Sequence, residues 1–372
     1  MKRVRLNTLH LWPQVGFEDR RCPRCGSTRV HGHGRRWRRV RDWGYRRVML
    51  QRLRCADCGA TWSVYPAGVA PGVRFSLRAE QAMVLLYVLG LSYRQTAAFM
   101  HGLGVPVGAS TVLRLVQAQG LREELATRRQ YWQGKVRVRQ VGVDGTGVPL
   151  VGGEQDTGVV VVVDQEAGVG LWVEAVDEQD ASALARLLRW VVEQVQPEEV
   201  VSGEGAAYPK ALEEATAAEV APPPAHRLCA AHFRRNKIRR LRGWQRAAVR
   251  RGWGMLVMET RALEALLRRL PQVWGGVARR WLRLVQGAQP PGEGEKASWL
   301  YRYRQWLLEW SEKAPQGTGV TTNRTEQVIG RRFKIRVKRM RGFKRADHRL
   351  RFLHLALAVD RRAQREGQLY LL

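Results

Sequence analysis

Four of the five cysteines form two Cys-x-x-Cys pairs near the start of the sequence: Cys22, Cys25, Cys55 and Cys58. Each pair is followed by a glycine, Gly26 or Gly59, which allows the turn that directs backbone amides toward the sulfurs. Two such pairs can supply four thiolates in a tetrahedron, which suits Zn²⁺ and leaves no coordination position open. We therefore predict a structural zinc. The alternatives are a redox-active pair, unbound thiols, or ligation by nearby histidines (His31 and His33).

Three acidic residues from distant parts of the sequence are candidates for a second metal site: Asp144, Glu204 and Glu326. Hard divalent cations such as Mg²⁺ or Mn²⁺ prefer oxygen ligands. Two such ions, roughly 3.5–4 Å apart, can activate a nucleophile and stabilise the leaving oxygen of a phosphodiester. Three carboxylates can hold that pair, so we predict metal-dependent phosphodiester chemistry.

Each acid also has an interpretation without chemistry. Asp144-Gly145 is typical of a type I′ hairpin turn. Glu204 stands between two glycines and could be a loop residue. Glu326 comes three residues after Asn323 and could complete a capping box, although capping and metal binding do not exclude each other.

A Cys-x-x-His pair, Cys229 and His232, lies between the second and third acids. Two ligands rarely suffice for a metal. We expect His232 to lie near the acids, where it would contact a DNA phosphate or orient a carboxylate. The alternative is a buried cysteine followed by a histidine at a helix start.

The hydrophobic pattern around the acids predicts three strands, a helix, a strand, a helix and a last strand before a further helix. This order is expected for a ribonuclease H-like α/β fold, which would bring the first two acids to the carboxyl edge of one sheet. The predicted strands are 136–143 continuing to 148–151, 157–164, 169–176, 199–202 and 227–229, and the predicted helices are 180–195, 208–217 and from 232.

The first third of the sequence predicts two smaller domains. Basic segments at 35–41 and 45–50 are typical of the strands of a zinc ribbon. Residues 77–120 predict helices at 79–89, 93–100 and 111–118, the last two capped by Ser92 and Ser110. This pattern fits a helix–turn–helix with three residues facing DNA, or else a plain helical spacer. The three residues are Thr111, Arg114 and Gln117.

The charge of the chain indicates its class of partner. The 372 residues carry 64 Lys and Arg against 33 Asp and Glu, a net charge of +31, so nucleic acid is the first candidate. The longest aliphatic run, Val159–Val163, is far too short to cross a bilayer. We expect no signal peptide, no membrane partner and a cytoplasmic, nucleoid-associated protein.

Two basic segments are candidates for contacts with DNA phosphates. Residues 324–351 hold twelve Lys or Arg interleaved with apolar side chains, which favours a packed strip along a DNA groove over a solvated face. The run 234–251 is also basic. A Trp-rich stretch at about 240–315 predicts a helical insertion. The candidate contacts are Arg234, Arg235, Lys334, Arg336, Lys338, Arg339, Arg341 and Lys344.

Four motifs, in this order, resemble those of bacterial insertion-sequence transposases of the DDE type, in the Mutator-like style. They cover most of the chain, together with the zinc ribbon and helix–turn–helix that precede them. The motifs are Val-Gly-Val-Asp144-Gly-Thr146, Val-Val-Ser-Gly-Glu204-Gly-Ala-Ala-Tyr208-Pro-Lys, Cys229-Ala-Ala-His232-Phe-Arg-Arg-Asn236, and Thr-Thr-Asn323-Arg-Thr-Glu326 with its basic continuation to Lys344.

The resemblance implies a DNA transposase that binds terminal inverted repeats and target duplex as a homo-oligomer. Mg²⁺ or Mn²⁺ held by Asp144, Glu204 and Glu326 would support strand cleavage and transfer of the freed 3′ end. We expect a zinc ribbon at 1–70, a helix–turn–helix region at 71–130 and a ribonuclease H-like domain at 131–372.

The sequence departs from the family at the second acid. The family has an aspartate five residues before the tyrosine, and counting back from Tyr208 gives Gly203, with Glu204 one place further on. Either Glu204 takes over the role or the acid is lost. The alternatives are therefore a catalytically inactive transposase-derived DNA-binding protein, or a zinc-ribbon nucleic-acid-binding module of another class.

Overall fold

The chain is a mixed α/β protein that divides into two compact units. Unit 1 comprises residues 1–128, 149–154 and 332–372, and unit 2 comprises 129–148 and 155–331. Within these ranges the computed structural model describes residues 21–133, 137–151, 158–203, 205, 207–217, 223–252, 254–268, 322–334, 337 and 342–366.

Unit 1 contains a three-stranded antiparallel sheet around the cysteine pairs. Its strands are β1 (Val30–Arg39), β2 (Arg47–Cys55) and β3 (Thr61–Val64), in the order β1-β2-β3. The first two lie where the basic segments predicted strands, whereas β3 was not predicted. Its core is small and is centred on Leu50, which is fully buried.

Three helices follow the sheet in the chain: α1 (Leu77–Val88), α2 (Tyr93–Gly102) and α3 (Ala109–Gln133). The predicted cap of α2 is confirmed, because the Ser92 hydroxyl accepts from the Gln95 N–H and the Gln95 side chain accepts from the Ser92 N–H. The predicted cap of α3 is wrong. Ser110 lies inside the first turn, and the carbonyl of Gly108 accepts the first helical bonds.

A long helix, α9 (Ala346–Glu366), supplies much of the apolar core of unit 1, and its residues 352–360 are all buried. The Phe352 ring lies edge-on to Tyr87 of α1, at 5.9 Å between centroids. Arg349 is also buried. The last residues of the basic segment 324–351, which was predicted as a packed strip, belong to this packed helix.

Unit 2 contains a five-stranded sheet with the order β6-β5-β4-β7-β8. β4 pairs antiparallel with β5 and parallel with β7, while β6 and β8 form the edges. The sheet lies where the hydrophobic pattern predicted five strands. Residues 148–151 form no named strand there. The strands are β4 (Gln140–Thr146), β5 (Val159–Asp164), β6 (Val169–Glu174), β7 (Glu199–Ser202) and β8 (Ala225–Leu228).

Helices cover both faces of the unit 2 sheet. On one face, Val141 and Val143 pack in a core with α4 (Ala181–Val195) and α5 (Ala207–Thr216). On the other face, α8 (Asn323–Val328) approaches Gly142 so closely that a Cβ there would overlap Thr325. Because side chains alternate along a strand, Asp144 shares the face of Gly142. The sheet therefore brings Asp144 and α8 together.

The remaining helices are α6 (Ala230–Arg250), α7 (Gly254–Arg268) and a π-helical segment, Ile329–Lys334, that continues α8. The predicted insertion at about 240–315 is helical as far as residue 268. Residues 269–321 lie outside the described part of the chain.

Candidate metal centres

The four cysteines of the two pairs converge in unit 1. Cys22 Sγ lies 3.5 Å from Cys58 Sγ, and Cys25 Sγ lies 3.6 Å from Cys55 Sγ. All four sulfurs lie within 4.8 Å of one another, so the cluster could hold a structural zinc. His31 and His33 lie exposed on β1 and are not part of this cluster.

The two turns of the cysteine cluster are built as the glycines predicted. Gly26 and Gly59 have φ of +72° and +71°, a conformation that side chains rarely adopt. The Arg24 N–H donates to Cys22 Sγ at 3.4 Å. Burial raises the pKa of the Cys22 thiol, but hydrogen bonds from the backbone of Cys25 and Arg24 outweigh this and lower it to about 6. Cys22 is therefore favoured at neutral pH as a thiolate, the form that binds zinc. The Ser27 backbone lowers the pKa of Cys25, but the Cys58 sulfur, burial and the sulfurs of Cys22 and Cys55 outweigh this and raise it to about 12.

A second cluster lies in unit 2 and joins three distant parts of the chain. Asp144 comes from β4, His232 from the first turn of α6 and Glu326 from α8. His232 Nε2 lies 3.1 Å from Glu326 Oε1 and 3.9 Å from Asp144 Oδ1. The three side chains are 13–32% exposed, so the cluster is partly accessible to solvent. They could hold a metal ion.

The position of Asp144 excludes the hairpin interpretation of Asp144-Gly145. Both residues lie within β4, where they pair with Val161 and Val160 of β5. The parallel partner β7 ends its pairing at Ser202, opposite Val143. Asp144 therefore stands just beyond the paired end of β7, at the carboxyl edge of the two parallel strands.

Thr322 contacts the nitrogen of His232 that points away from the two carboxylates. The Thr322 hydroxyl donates to Cys229 Sγ at 3.2 Å and lies 3.2 Å from His232 Nδ1. Because this hydroxyl has one proton, its oxygen is left to accept from Nδ1–H. The other nitrogen, Nε2, then faces the two carboxylates.

The Cys229 sulfur lies behind this site and accepts several hydrogen bonds. It also accepts from the backbone N–H groups of Thr322 and His232, at 3.2 and 3.5 Å. Burial raises the pKa of the Cys229 thiol, but the hydrogen bonds from His232 and Thr322 lower it to about 7. The hydrogen bond with Cys229 and the charges of Asp144 and Glu326 raise the pKa of His232 against burial. Cys229 is buried, as the alternative interpretation predicted. His232 lies in the first turn of α6, and it also contacts Thr322 and faces the two carboxylates.

Glu326 is also held by an arginine. Arg235 NH2 lies 3.0 Å from Oε1 and 3.2 Å from Oε2 of Glu326. Arg235 was predicted to contact DNA; in the structure its guanidinium, which is 51% exposed, pairs with the acid of the cluster. Thr322, which stands at the helix N-terminus, makes no side-chain cap of α8.

The predicted second acid, Glu204, lies outside the described residues. Gly203 is described, and it is buried at the end of β7. Among the described residues, a Cβ built on Gly203 would meet only His232 Nδ1 within 4 Å, at 3.9 Å. The position that carries the aspartate in the resembled family is therefore beside the cluster, and the described residues leave room there for a Cβ atom.

Sequence reasoning missed Glu178, whose carboxylate occupies the space where a Cβ of Gly145 would be. Tyr208 donates to Glu178 Oε1 at 2.6 Å. Burial, with the negative charges of Glu178 and Asp144, raises the pKa of Tyr208 well above its ordinary value. Tyr208 therefore stays protonated and holds Glu178 against the strand next to Asp144. A buried tyrosine needs an acceptor, but nothing in the sequence indicates which one.

The structure places the predicted DNA-facing residues of α3 in different environments. Arg114 is exposed on α3, with its guanidinium 3.4 Å from the Thr111 hydroxyl. The prediction for Gln117 is wrong, because its side chain is only 7% exposed. Each step of three residues turns 300° around a helix, so the third residue of the series rotates toward the buried face.

The basic residues near the C-terminal end are only partly described. Lys334 and Lys344 are exposed, and Arg234 is half-buried on α6. Arg336, Lys338, Arg339 and Arg341 lie outside the described residues.

No protein-family model matches the sequence, and no curated protein matches it. Of the helices that the structure describes, none has both the length and the apolar composition needed to cross a bilayer.

Proposed function

We propose that the chain is a DDE-type DNA transposase, an enzyme that cuts and joins DNA at the ends of a mobile element. The observation that carries the proposal is the meeting of Asp144 and Glu326, which are far apart in sequence, at one point with His232. The sheet order β6-β5-β4-β7-β8, with β4 central and Asp144 near its end, supports a ribonuclease H-like core.

The donor set of the cluster decides which ion it suits. Two carboxylates and one imidazole are offered within 4.8 Å, rather than the three carboxylates that a pair of Mg²⁺ ions would require. Carboxylate oxygens suit Mg²⁺ and Mn²⁺, whereas imidazole favours the transition metals. The described residues therefore fit one divalent ion, and Mn²⁺ better than Mg²⁺. A second ion would need another carboxylate, for which Glu204 is the candidate.

When bound, the ion would activate the attacking oxygen and stabilise the leaving oxygen of the phosphodiester. Asp144 and Glu326 would hold it, with His232 kept in place through Nδ1 by Thr322. Arg235, which now pairs with Glu326, is within reach of a phosphate that approaches the same carboxylate. An Arg–phosphate contact would neutralise the part of the phosphate's negative charge that the metal ion leaves uncompensated.

DNA binding would use the front of the chain and its basic residues. The net charge of +31 favours a polyanion, and exposed Arg114, Lys334 and Lys344 are candidates for phosphate contacts. Terminal inverted repeats and target duplex as substrates, a homo-oligomer on paired ends and association with the nucleoid follow from the resemblance. Zn²⁺ would stabilise the zinc ribbon, which is the first of the expected domains.

The test uses the purified chain and duplex DNA from the flanks of its own gene. We expect strand cleavage with Mn²⁺, weaker cleavage with Mg²⁺ and none with EDTA. Asp144→Asn and Glu326→Gln should abolish cleavage and leave duplex binding intact. Glu198→Gln is the matched control, because Glu198 is an exposed acid of the same unit that contacts Arg139. Cleavage that survives both site variants would contradict the proposal.

A catalytically inactive descendant that binds DNA is the second candidate, and Gly203 favours it. No side chain stands at the place that the resembled family gives to an acid. Duplex binding without cleavage under any divalent ion would support this candidate over the enzyme. Preference for RNA over duplex DNA would instead favour a zinc-ribbon nucleic-acid-binding module of another class.

A further inference from the structure

One face of the three-stranded sheet in unit 1 exposes a large aromatic side chain among arginines. Trp37 of β1 pairs with Met49 of β2, and these side chains are 60% and 41% exposed. The next pair on the same face is Arg39 with Arg47, and Arg35 lies on the other side of Trp37. We call these five residues the Trp37 face.

The opposite face of the sheet does not share this exposure. Leu50 is fully buried there. Arg38 donates to the carbonyls of Ala70 and Val73, and its guanidinium lies 5.2 Å from the centre of the Tyr65 ring. On that face Leu50 and Arg38 are covered, although Arg36 is exposed, so no large aromatic side chain of β1 or β2 is exposed there as Trp37 is.

The charge around the Trp37 face is strongly positive. Residues 21–64 contain twelve arginines and only two acids, Asp42 and Asp57. Both acids are engaged elsewhere, Asp42 with Arg78 and Asp57 with Arg29. The arginines of the face therefore attract an anionic partner, and the ring between them requires that partner to offer a flat apolar surface.

A nucleobase joined to phosphates meets both requirements. Stacking on an exposed aromatic ring is available only to a base that is not enclosed in a duplex, while arginines on either side follow the backbone. The Arg47 guanidinium already lies 5.7 Å from the centre of the Trp37 ring, where it can contact a phosphate next to a stacked base.

We propose that the Trp37 face binds an unpaired stretch of DNA by stacking a base on Trp37 and pairing its phosphates with Arg35, Arg39 and Arg47. The choice of DNA over RNA rests on the proposed function, whereas the stacking geometry does not. A site of this kind would let the ribbon hold a frayed or displaced strand, a role separate from cleavage in unit 2.

The first test measures binding of the full-length, zinc-loaded chain to a single-stranded oligonucleotide of about ten nucleotides that contains 2-aminopurine. Trp37→Ala should weaken this binding about 10-fold, within the range measured for loss of one stacked base. Trp37→Phe should retain most of the affinity. Arg47→Ala should reduce the slope of log K against log salt by about 0.7, the value for one phosphate of a single strand.

The matched control is Trp43→Ala, since Trp43 belongs to the same module but lies outside β1 and β2, and the Arg78 guanidinium over its ring at 4.7 Å is already paired with Asp42. It should leave binding of the oligonucleotide unchanged. A duplex of the same sequence should bind the Trp37→Ala and Trp43→Ala variants as tightly as it binds the wild type. Photocrosslinking of a 5-bromouracil oligonucleotide to the unmodified chain should label Trp37, which tests the proposal without any variant.

Three results would overturn the proposal. Equal losses on duplex and single strand would mean that Trp37 does not stack on an unpaired base. A changed oligomeric state of Trp37→Ala with unchanged oligonucleotide affinity would make the face a contact between copies. Tighter binding of the RNA oligonucleotide would reject DNA as the partner. Asp144→Asn should keep Trp37-dependent binding, so failure of cleavage does not decide this question.

Discussion

The imidazole of His232 shows how a single residue acquires a role from neighbours that are remote in sequence. Thr322 contacts Nδ1, and the carboxylates of Asp144 and Glu326 lie on the side of Nε2. A histidine fixed in this way offers one defined nitrogen to a cation. The resemblance of the Cys-x-x-His motif to that of a known family predicted proximity to the acids, but the role of Thr322 was found only through the tertiary structure.

Thr322→Val tests this arrangement at the scale of one hydroxyl. Loss of the contact to Nδ1 should free the ring and weaken Mn²⁺ binding about 10- to 100-fold, the usual effect of removing a group that orients a metal ligand. Isothermal titration calorimetry or Mn²⁺ electron paramagnetic resonance measures the affinity. Thr216→Val is the control, because the Thr216 hydroxyl donates within α5, to the Leu212 carbonyl. Equal affinities in all three proteins would mean that the Thr322 contact does not orient a ligand of the ion.

Gly203→Asp tests the empty position beside His232. Gly203 is not among the residues with positive φ, and a Cβ there has room, so the backbone should accept the change. The added carboxylate should tighten Mg²⁺ binding about 10-fold and increase cleavage with Mg²⁺. Gly203→Asn matches the size without the charge and should do neither. If aspartate and asparagine behave alike, position 203 does not face the metal.

At the scale of elements, Gly→Ala substitutions at two mid-helix glycines distinguish the effect of helix propensity on stability from the effect of packing. A Cβ on Gly120 of α3 would lie 2.5 Å from the backbone oxygen of Arg351, whereas a Cβ on Gly243 of α6 meets no atom of the described residues within 4 Å. Gly243→Ala should stabilise the fold by about 1 kcal/mol. Gly120→Ala should destabilise it by about 1–3 kcal/mol, because α3 and α9 must move apart. Urea unfolding gives both values, and the same sign for both would contradict this packing.

Helix α9 also predicts a dependence of stability on pH. Burial lowers the pKa of His354 to about 3, with the charges of Arg361 and Arg128 acting in the same direction. Because the unfolded histidine titrates near 6.5, the folded state loses stability as pH falls from about 6.5 toward 3. Between pH 7 and pH 4 the loss from this group is roughly 3 kcal/mol.

His354→Leu should remove that part of the acid sensitivity, measured by urea unfolding at several pH values. His101→Leu, at an exposed position of α2, should leave the pH profile as it was. A His354→Leu profile that superimposes on the wild type would show that another group causes acid unfolding.

The elements of unit 2 were predictable because their patterns are local. The run of five valines in β5 and the alternation in β4 give strands without knowledge of their partners. The faces of helices were less predictable, as Gln117 shows, since a single sequence does not reveal what packs on α3. The role of Glu178 depends on its contacts with Tyr208 and Gly145, which lie on two other elements. Pairings of this kind require the folded chain.

At the scale of the whole molecule, the net charge of +31 governs how the protein meets DNA. Each neutralised phosphate releases about 0.9 counterion from a duplex, so six to ten contacts reduce affinity about 10³- to 10⁵-fold between 50 and 200 mM salt. We expect a steep, linear plot of log K against log salt for any duplex sequence. Binding that is insensitive to salt would contradict a phosphate-based interface.

Lys344→Ala locates one of those contacts. Lys344 is exposed beside the start of α9, and loss of a phosphate partner should reduce the salt slope by about 1 on every duplex. Lys210→Ala removes the same charge from exposed α5 and should affect affinity only through the smaller net charge, with the slope unchanged. Fluorescence anisotropy at five salt concentrations measures both slopes. If the two variants shift the slope equally, general charge and not a defined basic surface attracts the DNA.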